Sequence, residues 1–171
     1  DYYQPFSNLN VIAEVYDMSG RKVWQHESGK FNIGEDAVCN DLFKIDFPAG
    51  ITQVHYIKLR LLDDHGKQVG SSFYLRSKDK YEGKNTMTGP TTSGFQNLNE
   101  LPSVKLKTRM KTYVKDDRRY IEVDVKNNGS VVALFTQLQV LGDDGKPVRP
   151  SFYTDNYFSL LPGESKHVVI D

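Results

Sequence analysis

The chain of 171 residues has room for one or two small domains, and its 38% hydrophobic residues are enough to form packed cores. Its 22 basic and 22 acidic residues cancel, so there is no basic field to attract nucleic acid or an anionic membrane. No apolar run approaches the roughly 20 residues of a membrane span, and the first residues lack the features of a signal peptide. We therefore expect no nucleic-acid partner and no membrane partner.

Short alternating runs of apolar and polar residues, divided by Gly, Asp, Asn and Pro, predict an all-β fold of the sandwich type. In the first run, Val11, Ala13 and Val15 share one face. A later run places Ile121 and Val123 together in the same way. The predicted strands cover residues 10–16, 22–27, 42–47, 54–62, 68–75, 104–110, 120–126, 132–141, 147–153 and 166–170.

An internal repeat indicates two homologous domains. When residues 57–74 are aligned with 136–153, 9 of 18 positions are identical. Both copies contain a tight turn with glycine, Gly66 or Gly145, which supplies the positive φ that a hairpin requires. A weaker third copy begins at Asp17. A calcium loop is a poor alternative, because the series of spaced oxygen ligands is missing.

The repeat predicts β-sandwich domains at residues 1–78 and 103–171, joined by a linker at residues 79–102. The linker is rich in Gly, Thr, Ser, Asn and Lys. Its apolar residues favour a segment strapped across a surface over a free one. These residues are Tyr81, Phe95, Leu98 and Leu101.

The sequence contains no recognisable catalytic, cofactor-binding or metal-binding constellation, and we predict no cofactor. His26, His55, His65 and His167 do not stand at metal-ligand spacing and are expected at surface positions. Cys39, the single cysteine, is expected to be a semi-buried small hydrophobe.

The carboxylates also favour a structural interpretation over acid–base chemistry. A glycosidase needs two carboxylates flanking the scissile bond in a concave site. Glu14, Glu122 and Asp124 are predicted to face outward on strands, and Glu164 to lie in a turn.

Two groups of aromatic residues could form a sugar-stacking surface. The alternative, which we favour, is that they fill the core or contact a neighbouring domain. The first group is Tyr2, Tyr3 and Phe6, the second is Tyr153, Tyr157 and Phe158, and Trp24 stands alone.

Four segments together resemble the C-terminal Ig-like domains of one enzyme family. They are residues 11–20, residues 56–75, the tract Leu98–Pro102 and the tract Asp155–Ser165. The sequence resembles the exo-β-D-glucosaminidase and β-mannosidase branch of glycoside hydrolase family 2. The order of the segments is kept along nearly the whole chain.

The resemblance implies two tandem immunoglobulin-like β-sandwiches and a non-catalytic role. In this family the catalytic glutamates lie in a (β/α)₈ barrel, which needs about 250 residues, so none is carried over to this chain. The implied partner is that barrel, in cis, within a retaining hydrolase of terminal β-linked sugars. Its polysaccharide substrates imply a periplasmic or secreted location.

Both predicted domains are shorter than a full Ig-type sandwich of about seven strands and ~100 residues. We therefore expect each to lack terminal strands, the second at its C-terminus. Open sheet edges would then allow self-association, which we predict at Lys166–Asp171. Two other functions stay open: a carbohydrate-binding module with exposed coplanar aromatics, and a free-standing interaction or adhesion protein with complete domains.

Overall fold

The computed structural model describes residues 4–78 and 93–171, and they form a mostly β structure that confirms the all-β prediction. The chain divides into two compact units, Asp1–Glu100 and Leu101–Asp171. The strands of unit 1 are β1 (Phe6–Asp17), β2 (Lys22–Glu27), β3 (Phe31–Ile33), β4 (Val54–Leu62) and β5 (Gln68–Ser77). Those of unit 2 are β6 (Leu106–Lys115), β7 (Arg118–Asn127), β8 (Ala133–Thr136), β9 (Phe158–Leu160) and β10 (Ser165–Ile170).

Unit 1 is built on an antiparallel sheet with the strand order β2-β1-β4-β5, and β3 pairs with the beginning of β1. The alternation seen in the sequence places Ala13 and Val15 on the covered face, where both are fully buried. Val15 pairs with Trp24 on one side and Ile57 on the other. The core on this face contains Val15, Ile51 and Ile57, with Val23, Trp24, Ile45 and Leu59 packed against it.

The strand predicted at residues 42–47 is wrong, because this segment pairs with no strand among the described residues. The alternation of apolar and polar residues in this segment nevertheless determines which of its side chains pack against the sheet. The Phe43 ring lies 4.9 Å from that of His26, and the Phe47 ring lies 5.1 Å from that of His55. Ile45 packs against the unit 1 core. The segment therefore covers the sheet through its side chains instead of joining it through its backbone.

Unit 2 contains a three-stranded sheet, β10-β7-β6, and a two-stranded ribbon of β8 and β9. Its core consists of Val123, Val125, Ala133, Leu160, Val168 and Ile170. The strand predicted at residues 147–153 is wrong, since only bridges at Pro147 and Tyr153 form. The strand predicted at residues 132–141 shortens to β8, because Asn156 instead of a strand bonds the backbone of Leu138.

Asn127 ties the parts of unit 2 together from a fully buried position. Its amide nitrogen donates to the carbonyl oxygens of Val131 (2.8 Å) and Leu160 (2.9 Å). Its Oδ1 accepts from the backbone N–H of Gly129 at 2.9 Å. One side chain thus satisfies three backbone groups that secondary structure leaves unpaired.

The three predicted turns form with the same backbone bonds. Gly20, Gly66 and Gly145 all have positive φ, between 74° and 89°. In each turn the glycine N–H donates to the carbonyl three residues earlier, at 2.9–3.0 Å. In the first two turns, Asp17 and Asp63 also accept backbone N–H groups ahead of them, as expected from the sequence.

Only part of the predicted linker is described. Residues 93–100 form a 3₁₀ helix that contacts β4, and Gly94 within it is buried. Tyr81 lies outside the described residues. Within residues 4–78 and 93–171, no helix is long and apolar enough to cross a membrane.

Candidate functional site

The four histidines lie in different surroundings. His65 is exposed in a turn, and His167 is exposed with its Nδ1 2.8 Å from Asp124 Oδ1. The ring of His26, although the residue is exposed, contacts those of Trp24 and Phe43. No group of three or more His, Cys, Asp or Glu residues is placed to hold a metal ion in the described part of the chain.

The surface position predicted for His55 is wrong, because this residue is only 4% exposed. The segment after β3 covers its face of β4, and the ring meets Phe47 there. Burial lowers the pKa of His55, since the charged imidazolium would lose its hydration. Cys39, expected to be semi-buried, is exposed instead, because the stretch around it joins no sheet.

The outward position predicted for Glu14 is also wrong. The side chain is buried between Lys22, whose Nζ lies 2.9 Å away, and Arg60, at 3.4 Å. Burial alone would raise the pKa of Glu14, but the hydrogen bond from Lys22 and the Arg60 charge lower it overall. A carboxylate neutralised by two cations and shielded from solvent is placed to stabilise the sheet, not to transfer protons to a substrate.

The other carboxylates lie as the sequence predicts. Asp124 is exposed and Glu122 half-buried on the outward face of β7. Glu164 closes a turn by accepting the backbone N–H of Leu161 at 3.0 Å.

Among the described aromatic candidates, three pack against a core and are not free to stack on a ligand. Tyr2 and Tyr3 lie outside the described residues, and Trp24 packs on the unit 1 core. Tyr153 and Phe158 are half-buried against the unit 2 core. From that group only Tyr157 is widely exposed, at 61%.

A second widely exposed aromatic residue of unit 2 is Phe135, which the sequence did not single out and which is 59% exposed. We call Tyr157 and Phe135 the aromatic pair. Both have positive φ, 58° and 48°, a conformation that costs a bulky side chain about 1–3 kcal/mol. The register between β8 and β9 is irregular here, so the alternating pattern of the sequence could not reveal the position of Phe135.

Polar bonds hold the aromatic pair in place. The N–H of Phe135 donates to Ser159 Oγ at 3.3 Å, and the Tyr157 hydroxyl accepts from Gln137 Nε2 at 2.9 Å. Asn156, next to Tyr157, bonds both the N–H and the carbonyl of Leu138. The pair can supply apolar contact area or stack on a ring.

A groove of about 410 Å³ is the second surface feature of unit 2. It runs between the inner face of β6 and β7 and the segment that follows β8. Its lining is mainly apolar and includes Met110, Thr108, Ile121, Val123, Leu138 and Val140.

Comparisons with known proteins agree on one family. The sequence profile of the exo-β-D-glucosaminidase Ig-fold domain matches residues 85–171, slightly more than half of the chain. An exo-β-D-glucosaminidase of Streptomyces avermitilis is 31% identical over 174 residues, which cover 96% of this chain and 19% of that relative. One of Hypocrea jecorina is 24% identical over 184 residues, with 91% and 18% covered.

The fold agrees as well. The crystal structure of an exo-chitosanase of Amycolatopsis orientalis superposes with a TM-score of 0.82 at 22% identity, covering 98% of this chain and 21% of that one. The chain thus spans about a fifth of the length of its relatives. The predicted resemblance to exo-β-D-glucosaminidases and the predicted all-β, Ig-like fold class are confirmed. The chain therefore belongs to the exo-β-D-glucosaminidase Ig-fold domain family, and it is an accessory domain region rather than a catalytic one.

Proposed function

We propose that the chain is a pair of tandem Ig-like β-sandwich domains that supports the catalytic barrel of a longer glycosidase in cis. The observation that carries the proposal is the coverage: 96% of the chain aligns with 19% of an exo-β-D-glucosaminidase. The division into two compact units, Asp1–Glu100 and Leu101–Asp171, supports two domains. In this proposal they are residues 1–78 and 103–171, joined by residues 79–102. Each domain would take its terminal strands from outside this chain.

The reaction of the parent enzyme in this proposal is retaining hydrolysis of terminal β-linked sugars. The names of the relatives favour the exo-β-glucosaminidase activity over the β-mannosidase activity within glycoside hydrolase family 2. A polysaccharide substrate favours a periplasmic or secreted enzyme.

The aromatic pair supports a contact with another domain. Holding two exposed rings in strained backbone conformations lowers the stability of the fold, and such strain is concentrated at functional sites. Aromatic residues are also enriched in the buried centres of protein interfaces. We infer that Phe135 and Tyr157 contact the rest of the parent enzyme.

A chimaera tests the supporting role. This chain would replace the matching segment of the Streptomyces avermitilis enzyme. We expect the chimaera to fold and to hydrolyse p-nitrophenyl β-D-glucosaminide, whereas the same enzyme without these residues is insoluble or inactive. A Val125→Asp chimaera, which places a charge in the unit 2 core, is the matched control for a misfolded insert. If the deleted enzyme is as active as the chimaera, the supporting role is wrong.

The exposure of the aromatic pair also keeps a carbohydrate-binding module as a second candidate, because sugars stack on exposed rings. NMR titration of the ¹⁵N-labelled chain with chito- and manno-oligosaccharides separates the two. Shifts confined to Phe135, Tyr157 and their neighbours would favour a sugar site. An unchanged spectrum would exclude binding of these sugars and keep the supporting role.

A further inference from the structure

The groove of unit 2 lies where the sheet extends beyond the layer that covers it. Met110 on β6 pairs directly with Val123 on β7, so the two side chains share one face. Val123 is buried, yet Met110 is 71% exposed. Thr108 and Thr112, on the same face of β6, are exposed too. An apolar core face thus continues into solvent along β6.

The backbone beside the groove offers an open edge. In the extended segment after β8, the backbone N–H and carbonyl of Leu138 both bond the side chain of Asn156. Two residues on, the N–H of Val140 donates to the Tyr153 hydroxyl, and the carbonyl of Val140 accepts from the N–H of Val148. Because successive residues of an extended chain direct their backbone groups to opposite sides, Gln137 and Gln139 direct theirs away from these partners. No strand pairs with that side within the described residues.

The second edge is β6 itself. It pairs only with β7 in the described part of unit 2. The strand count agrees with two open edges, since unit 2 has five strands (β6–β10) and an Ig-type sandwich has about seven in two sheets.

We propose that the groove receives a β-strand of the parent polypeptide from outside these 171 residues. The strand pairs with residues 137–141 and lays alternate apolar side chains on Met110, Leu138 and Val140. The proposal rests on the parent enzyme of the proposed function, because relatives extend well beyond the matched region.

A second copy of this chain fits the groove less well. The other face of β6 carries Lys107, Arg109 and Lys111, with Lys115 at its end. Antiparallel pairing of two β6 strands would bring like charges close together, which is unfavourable. The edge of β10 predicted to be open is closed at its end, because Phe152 and Asp171 exchange two backbone bonds of 2.8 and 2.9 Å.

The test uses the whole ¹⁵N-labelled chain and overlapping synthetic peptides. The peptides cover the two stretches of the Streptomyces avermitilis relative that flank the matched residues, with scrambled versions as controls. We expect one peptide to shift the amide signals of residues 106–112 and 137–141. It should also slow hydrogen exchange at Gln137 and Gln139.

Two matched variants locate the binding. Met110→Asp and Val114→Asp change the same face of β6 at nearly equal exposures, 71% and 70%, but only Met110 lines the groove. We expect Met110→Asp to weaken binding about tenfold or more, and Val114→Asp to change it by less than about threefold. Well-dispersed spectra of both variants would verify that they fold.

Three outcomes would overturn the proposal: no peptide binds, the shifts fall elsewhere, or both variants weaken binding equally. A dimer in sedimentation equilibrium that Met110→Asp dissociates would assign the groove to a second copy instead. The chimaera assay is independent of this test. If the chimaera is active and no peptide binds, the donated strand is rejected and the supporting role is kept. If a peptide binds and the chimaera is inactive, the donated strand is kept and the supporting role is rejected.

Discussion

His55 is a buried base whose Nδ1 has no hydrogen-bond partner among the described residues. Burial, and to a smaller extent the charges of Arg76 and Lys78, lower its pKa from the ordinary value of 6.5, although backbone contacts of Thr52 and Gln53 partly oppose them. As the pH falls through the range below 6.5, the unfolded chain therefore binds a proton more readily than the folded chain does. The free energy of unfolding must decrease over that range.

The residue-level prediction is that His55→Phe removes much of this pH dependence. Urea unfolding followed by Trp24 fluorescence should show the wild-type chain losing stability between about pH 7 and pH 5, and the variant losing less. His65→Gln, which changes an exposed turn residue, is the control and should behave like the wild type. Equal losses in all three chains would show that His55 does not titrate as proposed.

Asn127 allows a second prediction. Replacing it with Ala leaves the carbonyls of Val131 and Leu160 and the N–H of Gly129 without their partner. We expect the free energy of unfolding of unit 2 to fall by about 3 kcal/mol, because unpaired buried polar groups are costly. Denaturation followed through the NMR signals of β7 measures it. Asn128→Ala, at the exposed neighbouring position, should cost less than about 0.5 kcal/mol.

The three glycine turns that join neighbouring strands have the same backbone hydrogen bonds but differ in how deeply they are buried. Asp17 is buried, and its carboxylate accepts four hydrogen bonds. Two come from the backbone N–H and the hydroxyl of Ser19, and two from the backbone N–H and the Nε–H of Arg21. Asp63 accepts two backbone N–H groups and lies in an exposed turn. Gly142 occupies the same position in the third turn and has no side chain to accept them.

We therefore expect Asp17→Ala to destabilise unit 1 by about 2 kcal/mol and Asp63→Ala by about 0.5 kcal/mol. Urea denaturation followed by Trp24 fluorescence compares the two directly. The bond to Arg21 contributes little by itself, since that guanidinium is largely exposed. Similar effects of the two substitutions would contradict the role given to burial.

Elements with strong local signals could be predicted from the sequence. Strands β4, β5 and β7 carry long alternating patterns, and the glycine turns fix where hairpins close. Residues 42–47 alternate equally well, and residues 147–153 repeat the sequence pattern of the start of β5, but whether a backbone joins a sheet depends on which strands reach it. The burial of Glu14 and the exposure of Phe135 were also out of reach, because Arg60 and the irregular register with β9 come from distant parts of the chain.

At the scale of the whole molecule, three groups with pKa values shifted downward lie in unit 1. Burial alone would raise the pKa values of Glu14 and Asp17, but their cationic and hydrogen-bonding partners lower both, and burial lowers that of His55. Carboxylates with lowered pKa values stabilise the folded state above their ordinary values of 4.5 and 3.8, and this stabilisation is lost as the pH falls further.

We thus predict that unit 1 weakens in two stages on acidification, first below pH 6.5 and then below 4.5. Thermal unfolding followed by NMR at a series of pH values resolves its signals from those of unit 2. Glu14→Gln should flatten the second stage and leave the first. A single stage that Glu14→Gln leaves unchanged would disprove the assignment.

Trp24 is the only tryptophan of the chain, and it packs against the core of unit 1. The emission of the molecule at wavelengths that excite only tryptophan therefore reports on one half of the polypeptide. A fluorescence melt would record the loss of unit 1 and stay silent about unit 2. The chain thus carries a natural optical label for unit 1. Without any added dye, it can show whether unit 1 unfolds before unit 2 on exposure to heat, acid or denaturant.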